Sequence, residues 1–153
     1  MFHKFTIHTD GGSRGNPGPA AIGVVIENLH GHLVKQDAHV KREYGEYIGV
    51  TTNNVAEYQA VIFALKKLKQ LIGSEKAEKA HLVFYMDSEL LVKQLNHEYK
   101  VKEENIQKLF LEVHNLRLDF GKVEFKHVLR GKNTEADRLV NEALDREANR
   151  LDL

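Results

Sequence analysis

The hydrophobic and polar positions divide the chain into apolar runs of strand length and stripes of helical spacing. Phe5 to Asp10 is an apolar, β-branched run that ends on a carboxylate and breaks at once into a turn holding Gly11, Gly12, Gly15, Pro17, Gly18 and Pro19. This composition predicts a buried strand opening into a turn. The glycines permit unusual backbone angles and close approach of a ligand, and the prolines stiffen the exit. Ala20 to Leu29 is a second apolar strand. His30-Gly31-His32 then turns into Leu33 to Lys41, whose more polar alternation predicts a third strand at a sheet edge. Glu43 to Val50, with Gly45 and Gly49, reads as a connector or as the tail of that strand.

Helical spacing begins after Thr51-Thr52-Asn53-Asn54, whose side chains suit a helix cap, and runs from Val55 to Ile72 through Val61, Ala64, Leu65 and Leu68. Glu57 falls on the same stripe, one turn before Val61. An acid on a sheet-facing stripe costs free energy unless it is paired, protonated or bound to a metal. Gly73 ends the helix, and Ser74 to Lys79 reads as a solvated loop or short helical turn. Ala80 to Met86 is a continuous apolar run, as expected of a strand buried on both faces, and it delivers Asp87 to its carboxyl end, where open α/β sheets place ligands. Ser88 opens a short helix, Glu89 to Leu95, and Glu98 to Lys102 is a basic, aromatic-containing connector. An amphipathic helix follows over Glu103 to Leu118, then a last strand over Lys122 to Leu129. A basic loop, Arg130 to Asn133, precedes a terminal helix with Ala136, Leu139, Val140, Ala143 and Leu144 inward. Asp137 leans toward the same side.

Composition adds limits. At 153 residues the chain fits a single domain over 1–153, able to bury about two-thirds of its unfolded surface. No cysteine is present, so disulfides and thiolate metal sites are excluded. With no apolar run of transmembrane length and no signal-like start, a soluble cytoplasmic monomer is expected, with no membrane partner. Lys plus Arg and Asp plus Glu both total 22, so no global field announces a nucleic-acid partner, though an acidic pocket and a basic surface can cancel in the sum. None of the nine histidines shows metal-ligand spacing.

Taken singly, each acid has an ordinary explanation. Asp10-Gly-Gly can be a strand-ending turn, Glu57 and Asp137 can complement helix dipoles, and Asp87-Ser88 can be a capping pair. The wording around them, however, resembles type 1 ribonuclease H over nearly the whole chain. DGGSRGNPGPAA, TTNNVAEYQAV, YMDSELLVKQL and RGKNTEADRLVNEAL are similar, in order, to that family's four blocks.

The resemblance implies an α/β fold, a ribonuclease H-like five-stranded mixed sheet with helices on both faces. It also implies endonucleolytic hydrolysis of the RNA strand of RNA-DNA hybrids. Asp10, Glu57, Asp87 and Asp137 would then be the catalytic, metal-binding acids, holding two Mg²⁺ or Mn²⁺ ions. Two divalent cations about 4 Å apart stabilise both the attacking and the leaving oxygen, and hard oxygen ligands suit these metals. In the family's pattern Asp10 bridges the metals, Glu57 and Asp87 serve one, and Asp137 the other. Gly11, Gly12 and Ser13 would offer backbone groups to the substrate, and Asn16, Asn53 and Asn54 match the family's minor-groove residues. Such contacts read the 2′-hydroxyl and groove shape. For Asn53 and Asn54, capping and substrate contact are compatible.

Two departures stand out. The basic helix and loop that many bacterial relatives carry is replaced by the compact EYKVKEEN segment, leaving Lys93, Lys100 and Lys102 as substrate-binding cations. The loop before Asp137 is short and lacks the family's histidine. His127 sits in the preceding strand, so Arg130 and Asn133 become the phosphate or metal-site neighbours, with Arg130 equally readable as a solvated loop residue. The shortened form resembles archaeal and some bacterial members, a few of which also accept double-stranded RNA. Two other readings remain: a non-catalytic hybrid- or duplex-binding module, and a phosphotransferase-like use of the glycine turn. The turn lacks the Gly-Lys-Ser/Thr pattern of a phosphate loop.

Overall fold

The computed structural model describes residues 3–28 and 40–151. Its order is β1 (His3–Ser13), β2 (Gly18–Asn28), β3 (Val40–Thr51), α1 (Asn53–Ala77), β4 (Ala80–Met86), α2 (Glu89–Leu95), α3 (Glu104–Arg117), β5 (Lys122–His127) and α4 (Thr134–Leu151), with one 3₁₀ turn at Arg130–Lys132. The strands form one sheet in the order β3-β2-β1-β4-β5. β1 pairs antiparallel with β2 and β2 with β3, while β1–β4 and β4–β5 are parallel. The mixed sheet and the helices on both of its faces agree with the sequence expectation.

The main core fills one face, where Val61, Leu65 and Leu68 of α1 meet Ile7, Ile22 and Phe84 of the sheet together with Leu91 of α2 and Val113 of α3. Burying each such aliphatic side chain contributes about 1.5–3 kcal/mol. On the other face α4 packs Val140, Ala143 and Leu144 against Ala21 and Tyr47. Caps follow from local chemistry. The Thr52 hydroxyl accepts the Val55 amide of α1 at 3.3 Å, and the Ser88 hydroxyl accepts the Leu91 amide of α2 at 3.2 Å. Gly73, at φ +83°, breaks the helical path, so the long helix of α1 stops there and a short turn continues.

The third strand differs from its sequence reading. The turn at residues 30–32 and most of the expected strand, residues 33–39, lie outside the described residues. The segment read as a connector or tail, Glu43 to Val50, is the body of edge strand β3. Its two glycines suit a connector or a strand tail, but they serve packing and pairing within the strand. A Cβ on Gly45 would fall 2.8 Å from the Leu139 carbonyl oxygen of α4. Gly49, at φ +90°, sits where the β2–β3 register shifts beside Ala20 and Ala21.

Candidate active site

Four elements bring one acid each to the same end of the sheet. β1 and β4 run parallel with His8 level with Tyr85, so continuing two residues along each strand sets Asp10 beside Asp87. Glu57 comes from the start of α1, which lies directly on β1 because Gly11 has no side chain. An added Cβ there would stand 2.3 Å from the backbone of Ala56. Asp137 comes from the first turn of α4. That helix can lie low because Gly23 pairs with Asp10 on one side and with Gly45 on the other, and a Cβ on Gly23 would stand 2.1 Å from the Ala136 carbonyl oxygen. Close approach of two helices to three strands therefore places two of the four acids.

The acids line one open cleft of about 460 Å³ with Gly11, Gly12, Ser13, Arg14, Asn53, Ser88, Arg130 and Asn141. Burial, then the charges of Asp87 and Asp137, push the Asp10 carboxyl up to about 8. A hydrogen bond from the Gly11 amide opposes the shift, and Glu57 adds to it. Burial raises Glu57 to about 7, the Ser88 hydroxyl pulling it down and Asp87 pushing it up. One buried amide orders the cluster from behind: Asn133 Nδ2 donates to the Thr9 carbonyl at 2.9 Å and to Asp87 Oδ2 at 3.3 Å, with the residue 1% exposed. Its Oδ1 is buried without a hydrogen-bond partner.

A family model described as reverse transcriptase-like matches residues 8–143. Ribonuclease HI of Halobacterium salinarum is 38% identical over 136 residues, 89% of this chain and 62% of that one. LC11-RNase H1, solved in complex with an RNA/DNA hybrid, is 41% identical with a TM-score of 0.81, covering 94% of this chain and 99% of that one. The chain belongs to the type 1 ribonuclease H family. A Mycobacterium tuberculosis protein described as bifunctional is 39% identical over 142 residues, 93% of this chain but 36% of that protein. The chain thus spans about a third of that relative's length and somewhat under two-thirds of the Halobacterium one.

Within this chain, Asp10, Glu57, Asp87, Asp137, Gly11, Gly12, Ser13, Asn53 and Arg130 of the sequence-predicted residues share the cleft. Asn16, Asn54 and Asn133 do not line it. Asn16 is exposed and accepts the Asn53 amide at 3.0 Å. Asn53 Oδ1 accepts both the amide and the hydroxyl of Ser13, at 2.9 and 3.1 Å, which locks the glycine turn to α1. The side-chain cap of α1 is Thr52, and Asn54 lines a separate groove of about 170 Å³ with Leu90, Lys100 and Lys102. Arg14, Ser88 and Asn141 also line the cleft, though the sequence reading assigns none of them to the site and gives Ser88 only a capping role. All three lie inside family-like blocks, Arg14 and Ser88 adjacent to the assigned Ser13 and Asp87, and Asn141 one helical turn after Asp137.

The donor set suits hard divalent cations: four carboxylates in one cleft, with Asp10 and Glu57 raised by burial and by charges that a cation would offset. Among the described residues no three acid or histidine side chains already stand as ligands around one point. The site is an open carboxylate cleft and not a closed cage. Mg²⁺ is commonly held in this way, by one or two carboxylates with water and substrate phosphate completing its shell.

Proposed function

We propose that this chain is an endoribonuclease that hydrolyses the RNA strand of RNA-DNA hybrids with two bound Mg²⁺ or Mn²⁺ ions. The observation that carries the reading is the meeting of Asp10, Glu57, Asp87 and Asp137 in one cleft, beside a glycine turn clamped to α1 by the Ser13–Asn53 bonds. Kinship with LC11-RNase H1, which was solved with an RNA/DNA hybrid, supports the same substrate here.

Asp10, Glu57, Asp87 and Asp137 would hold the metals, which supply charge stabilisation for the entering and leaving oxygens and lower the pKa of the attacking water. The chain's own residues do the rest. Asn133 donates to Asp87 and fixes its carboxylate in one orientation, acting through the acid and not on the substrate. Backbone groups of Gly11, Gly12 and Ser13 and the Asn53 side chain, all lining the cleft, would meet the sugar edges of the hybrid, where a 2′-hydroxyl both donates and accepts, and Asn16 and Asn54 would reach the hybrid outside the cleft. Arg130 neighbours the phosphate from the loop after β5. All four acids come from one chain, so a monomer suffices.

The test is cleavage of a labelled RNA-DNA hybrid, with DNA-duplex and RNA-duplex controls, with and without Mg²⁺ or Mn²⁺, for the intact chain and Asp10→Asn. Metal-dependent cutting of the hybrid's RNA strand, lost by at least about a hundredfold in the variant, is expected. Hybrid binding without cutting under either metal would replace the reading with a non-catalytic binding module. The RNA-duplex control decides whether double-stranded RNA is a second substrate.

A further inference from the structure

Arg14 lines the cleft beside the four acids. The four acids can be neutralised by two divalent cations, but the RNA phosphates flanking the scissile one would still meet an acidic wall. Among the described residues, Arg14 and Arg130 are the only basic side chains lining the cleft. They stand on opposite flanks: Arg130 follows β5, whereas Arg14 follows β1 on the side leading to β2, away from β4 and β5.

The backbone of Arg14 is fixed. Its amide donates to the Pro19 carbonyl at 2.8 Å, and a Cβ on Gly18 would lie 2.1 Å from its carbonyl oxygen. Ser13, before it, is tied to Asn53. The side chain is held more loosely. Nη2 makes both of its bonds, at 2.7 Å to Asp145 Oδ1 and 3.4 Å to the Asn141 carbonyl, and the side chains of the ion pair are 45% and 63% exposed. An exposed pair of this kind stabilises a fold little, so little opposes its release. Release would free a planar fork suited to bidentate contact with a phosphate.

We propose that Arg14 is a substrate-binding residue: its guanidinium, parked on Asp145 at the rim of the acidic cleft, moves to an RNA-strand phosphate beside the scissile one. This rests on the ribonuclease H reading above. Asp145 holds the guanidinium at the cleft between substrates and competes with the phosphate for it.

The experiment is steady-state hybrid cleavage by wild type, Arg14→Ala, Arg14→Lys and Asp145→Asn over a range of salt, with melting temperatures for each. Arg14→Ala is expected to raise KM about tenfold with kcat within about twofold, the loss of one charge-assisted contact. It should also flatten the log-log salt dependence of kcat/KM by about one unit, as for one lost phosphate contact. Arg14→Lys should keep the salt dependence and recover KM in part, since an ammonium has no fork. Asp145→Asn breaks the same ion pair and should melt like Arg14→Ala, yet show a KM at or below that of wild type. An unchanged KM in Arg14→Ala, or an equal rise in both single variants, would reduce Arg14 to a surface tether and overturn the inference alone. Wild-type protein that cuts no hybrid with either metal would overturn the underlying reading and this one with it.

Discussion

At Asp10 the tension in the cleft is greatest. Its carboxyl rises to about 8 and that of Glu57 to about 7, so both bind a proton more tightly in the folded than in the unfolded chain. Stability then falls as pH rises, from the ordinary carboxylate range up to about pH 8, because folding must hold charges that the unfolded chain releases to water. In chelator, the melting temperature should drop between pH 5 and 8. Asp10→Asn should melt several degrees above wild type at pH 8 but close to it at pH 5, and Mg²⁺ should raise the wild-type value most at pH 8. A gap between the two proteins that ignores pH would contradict this electrostatic account. Asn133 makes a separate residue-level case. Asn133→Ala should lower kcat about 10–100-fold with little change in KM, as expected if Asp87, to which it donates, is the metal ligand proposed. It should also cost about 1–3 kcal/mol of stability by leaving the Thr9 carbonyl unpaired, measurable by urea unfolding.

Elements meet where glycine lets backbones touch. Gly23→Ala would drive a methyl group into the Ala136 carbonyl oxygen, a backbone atom that can yield only if α4 lifts. A loss of about 1–3 kcal/mol is expected, with cleavage falling more than about tenfold because Asp137 moves with the helix. Gly49→Ala is the control. It has open space but φ +90°, so it should cost about 1–2 kcal/mol in backbone strain and leave cleavage nearly intact. Comparing the two variants by melting and cleavage separates strain from displacement of the site. Element identity was largely legible beforehand. The continuous apolar run of β4 and the stripes of α1, α3 and α4 read correctly because burial imposes the period. The body of β3 reads only as a connector or strand tail because glycine in a sequence does not reveal whether it interrupts a strand or admits a neighbour.

Across the whole molecule, equal counts of acid and base mean that attraction to a polyanion must be local. The cleft itself is acidic, leaving Arg14 and Arg130 at its rim and Lys100 and Lys102 at the groove shared with Asn54. KM for the hybrid should therefore rise about ten- to a hundredfold between 50 and 200 mM salt, the change expected for two or three phosphate contacts. A KM that ignores salt would mean that groove shape and sugar contacts dominate binding. No helix among the described residues is long and apolar enough to cross a membrane.

The sequence by itself determined which residues could do the chemistry. Each acid closes or opens an element whose period is readable, and the wording around the acids carries the family. Only the tertiary structure decided how those residues share labour. Asn53 clamps Ser13, Thr52 caps α1, Asn133 is buried behind Asp87, and Asn54 belongs to another groove. Local sequence sets backbone preference and the face a side chain takes. Partners as far apart as Thr9 and Asn133 meet only when strand order, register and the glycine contacts at Gly11, Gly23 and Gly45 fix how closely helix and sheet approach.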